Sequence, residues 1–104
     1  MNRVTIEIWM WLGRELGEDF EPISEMRSKK EENVEEGTTI RQLLDRLARH
    51  YSPVAQKIFD INEKRVYPYV VVNYNDRVIS PYEVHDRILK DGDKIIVLPM
   101  YMGG

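Results

Sequence analysis

Apolar residues alternate from the start of the chain. Val4, Ile6, Ile8, Met10 and Leu12 fall at period two, which predicts a strand over 4–12 with one face in a core. The opposite face carries Arg3, Thr5, Glu7, Trp9 and Trp11. Two tryptophans on that face require a cover, supplied either by the segment after Gly13 folding back or by a partner that buries them. The period changes at Ile40: Ile40, Leu43, Leu44, Leu47 and Ala48 follow helical spacing, with Arg41, Asp45, Arg46 and Arg49 on the far side. Thr39 with Gln42 reads as a capping box, and Pro53 limits this helix at about Tyr51. Further on, 69–74 is rich in β-forming residues, Asn75-Asp76 fits a tight turn, and 77–79 returns as a short paired strand. Residues 94–98 are apolar on both faces, so the final strand is predicted to be central, inserted between earlier ones.

Between these elements the pattern is weaker. Residues 13–32 are polar, hold Pro22 and show no sustained period; they read as a long loop with a helical turn at 14–16, followed by a brief strand at 33–36. A helical turn at 54–58, a polar connection at 60–68 and irregular or 3₁₀ structure at 83–89 complete the chain. Strand, strand, helix, strand, short strand, strand describes an α+β fold: a mixed sheet packed on one main helix. At 104 residues the chain has room for one core, so a single domain over 1–104 is expected, with a flexible tail at 100–104.

Composition narrows the function. The chain has no cysteine, which removes disulfides, thiolate metal sites and thiol nucleophiles. His50 and His85 each lack a neighbour at metal-ligand spacing, and no metal site is expected. A net charge of −3 lacks the electrostatic footprint of a nucleic-acid binder. No run approaches the roughly 20 apolar residues of a membrane span, and the N-terminus resembles no signal peptide, so the expected location is cytoplasmic, without a membrane partner. The charge is uneven: residues 13–36 hold nine acids against four bases. That run reads either as a solvated loop face or as a docking surface for a basic partner, and a basic or neutral protein fits the overall charge. Asp45, Glu83, His85 and Asp91 are available as acids or bases but form no recognised catalytic constellation.

The sequence closes on Leu98-Pro99-Met100-Tyr101-Met102-Gly103-Gly104. Two final glycines occur by chance in about 0.5% of chains at average glycine usage. Glycines pass through a narrow channel and leave a terminal carboxylate sterically open, and five residues extend about 17 Å, enough to enter a partner's active site. Met100, Tyr101 and Met102 either grip a partner's groove or fold back on the domain.

Taken with the strand order, the entry Glu36-Gly37-Thr38-Thr39-Ile40 followed by Leu43-Leu44, the strand end Val72-Asn73, the turn Asp91-Gly92-Asp93 and the final Gly103-Gly104, the chain resembles the ubiquitin-like sulfur carriers, among them the small subunit of molybdopterin synthase and the sulfur carrier of thiamine biosynthesis. The resemblance implies a β-grasp fold and the role of a co-substrate or small synthase subunit, not a stand-alone catalyst. By that resemblance an adenylating enzyme uses ATP and magnesium on the carboxylate of Gly104, which becomes a thiocarboxylate, and the carrier itself binds no cofactor. Gly103 and Gly104 are then the reacting end, and Pro99, Met100, Tyr101, Met102, Trp9 and Trp11 are the expected partner-binding residues. Partners are the activating enzyme and a large synthase subunit or other sulfur acceptor. Pro99 matches one proline of the molybdopterin branch, whereas Met100, Tyr101 and Met102 differ from its usual tail; the chain's extra length favours that branch over the thiamine carriers. Beside a carrier for molybdopterin or a related pterin stand three alternatives: a sulfur carrier for thiamine or another pathway, a binding module acting through Trp9, Trp11 and the acidic run, and a modifier joined through Gly104 to a target lysine.

Overall fold

The computed structural model describes residues 1–10, 16–17, 19–24 and 26–100. In chain order the elements are β1 (Asn2–Trp9), β2 (Glu21–Pro22), β3 (Arg27–Val34), α1 (Ile40–His50), α2 (Ser52–Lys57), β4 (Phe59–Asp60), β5 (Arg65–Val66), β6 (Val70–Tyr74), β7 (Arg77–Ile79), α3 (Pro81–Asp86) and β8 (Lys94–Pro99). Six strands form one sheet in the order β2-β3-β1-β8-β6-β7, and β4 and β5 form a separate two-stranded ribbon. β8 runs parallel to β1 and antiparallel to β6. The last strand is therefore central, as its apolar run on both faces requires. This is the β-grasp arrangement.

One buried cluster joins the inner faces of the sheet and helices. Val4, Ile6 and Ile8 of β1 and Ile95 and Val97 of β8 contribute from the sheet, and Ile40, Leu43, Leu44 and Leu47 from α1. Burial of each large aliphatic side chain stabilises by roughly 1.5–3 kcal/mol before entropy is subtracted. The α1 cap forms as its sequence dictates: Gln42 N–H donates to Thr39 Oγ1 at 3.2 Å, and Thr39 N–H donates to Gln42 Oε1 at 2.9 Å. Between β6 and β7, Asn75 and Asp76 take positive φ values of 49° and 69°, the signature of a type I′ hairpin turn.

Several boundaries differ from expectation. β1 ends at Trp9 with a bend at Met10, and Trp11 and Leu12 lie outside the described residues. The second long strand is Arg27–Val34 and not 33–36; eight residues of β3 pair with β1, from Asn2↔Val34 to Trp9↔Arg27. Backbone pairing to an apolar strand outweighs a charged sequence here. The polar connection at 60–68 holds β4, β5 and the turn joining them, with Asp60 Oδ1 accepting from Asn62 and Glu63 N–H. Ser80-Pro81 begins a true helical turn: Ser80 Oγ accepts from Glu83 N–H at 3.2 Å, and proline occupies the first turn, where a missing N–H costs nothing.

Candidate functional site: the tail root and the open face of the sheet

β8 positions the end of the chain. Lys94 to Val97 pair with Thr5 to Ile8 on one side, while on the other the ladder to β6 continues to Val70↔Pro99. Asn75 N–H donates to Lys94 O at 2.9 Å and Met100 N–H donates to Tyr69 O at 2.6 Å. Antiparallel alternation between those two bonds puts Pro99 at a position that exchanges no hydrogen bond with β6. Its missing N–H therefore falls on the β1 side, where the ladder stops at Val97. The chain thus parts from β1 first and stays tied to β6 through Met100, the last described residue.

The support beneath Met100 is aromatic. Tyr67 and Tyr69 stack with centroids 5.9 Å apart and planes 5° from parallel. Their hydroxyls donate to Ala55 O at 2.6 Å and to Lys57 O at 2.7 Å, fastening the approach to β6 onto α2. Burial, then the neighbouring Tyr67, raises the Tyr69 pKa.

At the opposite end of β8, Asp91-Gly92-Asp93 locks three segments together. Gly92 adopts φ +87°, a left-handed conformation that suits glycine, and its N–H donates to Arg3 O at 2.8 Å. Asp91 Oδ1 accepts from Arg3 N–H at 2.7 Å. The buried Asp93 carboxylate accepts from Tyr74 Oη at 2.5 Å, Asn75 Nδ2 at 3.0 Å and Lys90 N–H at 2.7 Å. Burial opposes the charge on Asp93, yet these donors prevail and lower its pKa; burial and the Asp93 partner push Tyr74 up to about 12.

Parallel pairing brings the C-terminal ends of β1 and β8 to the same end of the sheet, so Trp9, Pro99 and Met100 all lie at that end. Trp9 is half-buried, and the Arg27 guanidinium lies 4.6 Å from the ring centroid. Of the covers considered for Trp9, β3 supplies part. Trp11, Tyr101, Met102, Gly103 and Gly104 lie outside the described residues.

A group of residues that the sequence pattern did not single out stands beside Trp9. Glu7, on the face away from α1, is only 3% exposed. It accepts from Trp9 Nε1 at 3.0 Å, Arg27 Nη2 at 2.9 Å and Lys94 Nζ at 2.8 Å. Burial pushes the Glu7 carboxyl up, but the hydrogen bonds from Lys94, Arg27 and Trp9 more than offset it and set the pKa at about 2. The only local signal was a glutamate between Ile6 and Ile8. Its partners come from two other strands, so the register was needed to find them.

The acids and bases considered for catalysis do not converge. Asp45 pairs with Arg49, Glu83 pairs with Arg87, and Asp91 serves Arg3. Among the described residues no cluster of three or more His, Cys, Asp or Glu residues could hold a metal, and no helix is long and apolar enough to cross a membrane.

Comparison with known proteins follows the same lines. The sequence profile of the ThiS family matches residues 20–104. No protein of curated description matches the sequence significantly. Among solved structures, the small archaeal modifier protein 1 of Haloferax volcanii aligns with a TM-score of 0.71 at 14% identity, covering 97% of this chain and 100% of that one. A Pyrococcus furiosus protein described as molybdopterin converting factor, subunit 1, gives a TM-score of 0.66 at 21% identity, covering 97% and 100%. Urm1 from Trypanosoma brucei gives 0.70 at 17% identity, covering 99% and 96%. At these identities the likeness is one of fold, the ubiquitin-like β-grasp.

Proposed function

Because the chain belongs to the ThiS family, we propose that it is a sulfur carrier whose C-terminal Gly104 becomes a thiocarboxylate for molybdopterin, or related pterin, cofactor biosynthesis. A carboxylate is a poor electrophile. In the proposed reaction the Gly104 carboxylate attacks the α-phosphate of ATP on a magnesium-dependent activating enzyme, releasing pyrophosphate; hydrosulfide, supplied at the sulfide oxidation level by a sulfur donor, then adds to the carbonyl carbon, and the C–O bond to AMP breaks as the C–S bond forms. The carrier contributes presentation and no catalytic side chain. A large synthase subunit, or another sulfur acceptor, takes the sulfur.

The observation that carries this reading is the placement of β8: a central strand, paired on both sides, it carries the chain as far as Met100, at the end of the sheet where Trp9 stands. Likeness in fold to a protein described as molybdopterin converting factor, subunit 1, favours the pterin pathway. Intact-protein mass spectrometry after incubation with activating enzyme, ATP and a sulfur donor tests it. The expected result is a gain equal to one sulfur-for-oxygen exchange in the Gly103-Gly104 peptide. Deletion of Gly104 abolishes adenylation and leaves the circular dichroism spectrum unchanged; adenylation of the shortened chain would remove Gly104 from its assigned role.

A second reading is favoured by the likeness in fold to small archaeal modifier protein 1. The same adenylate then passes to a lysine amine of a target protein and forms an amide. A ladder of higher-mass species on denaturing gels, resistant to thiols and absent without Gly104, distinguishes it from the carrier reading.

A further inference from the structure

Two cations converge on one carboxylate in the middle of the open sheet face. The carboxylate of Glu7 is 3% exposed, whereas the side chains of Arg27 and Lys94 are 40% and 44% exposed. The negative member is thus inside and the positive members reach solvent, so the cluster presents a positive field outward. Trp9 belongs to the same unit, donating its indole N–H to the oxygen of Glu7 that Arg27 also uses. Among the described residues Arg27 Nε is buried with no hydrogen-bond partner. On the same face, strand alternation places Ile96 and Leu98 of β8, Val71 of β6 and the well-exposed Val78 of β7. The described ionic side chains of this face are Arg3, Arg27, Lys29 and Lys94 against Glu7, Glu21 and Glu31, an excess of one positive charge on a chain whose net charge is −3.

We propose that Glu7 is a positioning residue that holds Trp9, Arg27 and Lys94 as one preformed anchor, and that the activating enzyme, in receiving the tail, docks on this anchor with an acidic surface around an apolar slot for the indole. The proposal rests on the sulfur-carrier reading, since it is the tail root at the same end of the sheet that makes this face the approach side. Tryptophan and arginine are the side chains most often found to dominate binding at interface centres, and an anchor already hydrogen-bonded loses little entropy on docking. The partner's chemistry is opposite to the one expected from the acidic run at 13–36: β3 carries Arg27 and Lys29 out of that run onto the open face and turns Lys30 and Glu32 inward, where Glu32 meets Arg46 at 3.2 Å.

The test uses the full chain as the varied substrate of its ATP-dependent activating enzyme, read by pyrophosphate release. Arg27→Gln combined with Lys94→Gln raises KM about 10-fold with kcat unchanged, and added salt erases the difference between this variant and the wild type. Arg27→Lys recovers part of the loss, because charge returns without the planar fork. Glu7→Gln also raises KM and shifts the Trp9 indole N–H resonance, the signature of a loosened anchor. An unchanged or lowered KM on neutralising both cations overturns the proposal, as does a fall confined to kcat. Where removing both cations leaves the buried Glu7 carboxylate unpaired and unfolds the chain, the single variants Arg27→Gln and Lys94→Gln, each keeping one cation on Glu7, decide the matter. Failure of the wild-type chain to form any adenylate, under conditions where another carrier does, overturns the carrier reading and this inference with it; adenylation with an insensitive KM overturns the inference alone.

Discussion

Glu7 shows how a single side chain can be both an energetic burden and a determinant of stability. Burial in a sheet face disfavours its charged form, and the hydrogen bonds from Lys94, Arg27 and Trp9 reverse that preference, holding the pKa at about 2 against an ordinary 4.5. A carboxylate whose pKa is lower in the folded than in the unfolded chain stabilises the fold above the unfolded value and loses that contribution as pH falls through the folded one. The stabilisation Glu7 contributes is therefore complete above about pH 5 and disappears between about pH 4.5 and 2. Urea melts of the wild type and Glu7→Gln across this range are expected to differ by on the order of 2–3 kcal/mol at pH 7 and to converge near pH 2. A difference that stays constant down to pH 2 would mean that the cost of the variant comes from packing and not from charge. Tyr74 behaves in the opposite sense: its pKa of about 12 means that its hydrogen bond to Asp93 weakens only as pH rises from about 10 towards 12. Because Asp93 is buried, Tyr74→Phe is expected to cost about 1.5–3 kcal/mol by chemical denaturation at pH 7, and Tyr82→Phe, at an exposed residue, close to nothing.

At the scale of elements, what was legible in the sequence was whatever is coded locally. α1 was readable because two independent signals agreed, an apolar stripe and a capping box, and it runs over Ile40–His50 as they require. The stripe outweighs the cap energetically. Thr39→Ala is expected to cost about 1 kcal/mol and Leu44→Ala about 2–5 kcal/mol in thermal or urea unfolding, and a reversal of that order would place the stability of α1 in its end and not in its packed face. β3 was not readable, since its core-side positions are Ser28, Lys30, Glu32 and Val34, an alternation with little apolar content. Its inward charges are met by one another and by Arg46, and its place is fixed by eight paired residues of β1. The same distinction governs the candidate site. Trp9, Pro99 and Met100 were legible as an aromatic on an outer face and a tail root; the Glu7, Arg27 and Lys94 cluster was not, because it exists only once β1, β3 and β8 are placed side by side. Asp93 sits between these cases: its turn was visible in Asp91-Gly92-Asp93, but its bonds to Tyr74 and Asn75 depend on the hairpin between β6 and β7.

For the molecule as a whole, the order in which the chain is made runs against the order in which the sheet is assembled. β8 is the last strand in sequence and the central one in space, and it separates β1 from β6. Without it, β1 loses its parallel ladder from Thr5 to Ile8, β6 loses its ladder to β8 over Val70–Tyr74 and keeps only the one to β7, and the core loses Ile95 and Val97. The remaining strands would then form two separate pairings, β2 and β3 with β1, and β6 with β7, neither of them closed over α1. Hairpins with an open apolar face are marginal in water, and the unpaired edges of β1 and β6 would favour association. A chain ending at Gly92 is therefore expected to lack a cooperative thermal transition and to show poorly dispersed amide resonances. Supplying residues 93–100 as a separate peptide should restore dispersion if this segment alone is missing. A cooperative transition in the shortened chain without the peptide would show that α1 and the outer strands form a core by themselves. The functional corollary is that the tail root and the fold are one structure: Met100 is held by Tyr69, Pro99 lies beside Val70, and the strand that presents the end of the chain is also the strand that joins the two halves of the sheet. Under the proposed function, a partner that draws in the end of the chain pulls against a strand paired on both sides, so the load falls on the ladders to β1 and β6 and the domain stays in place behind it.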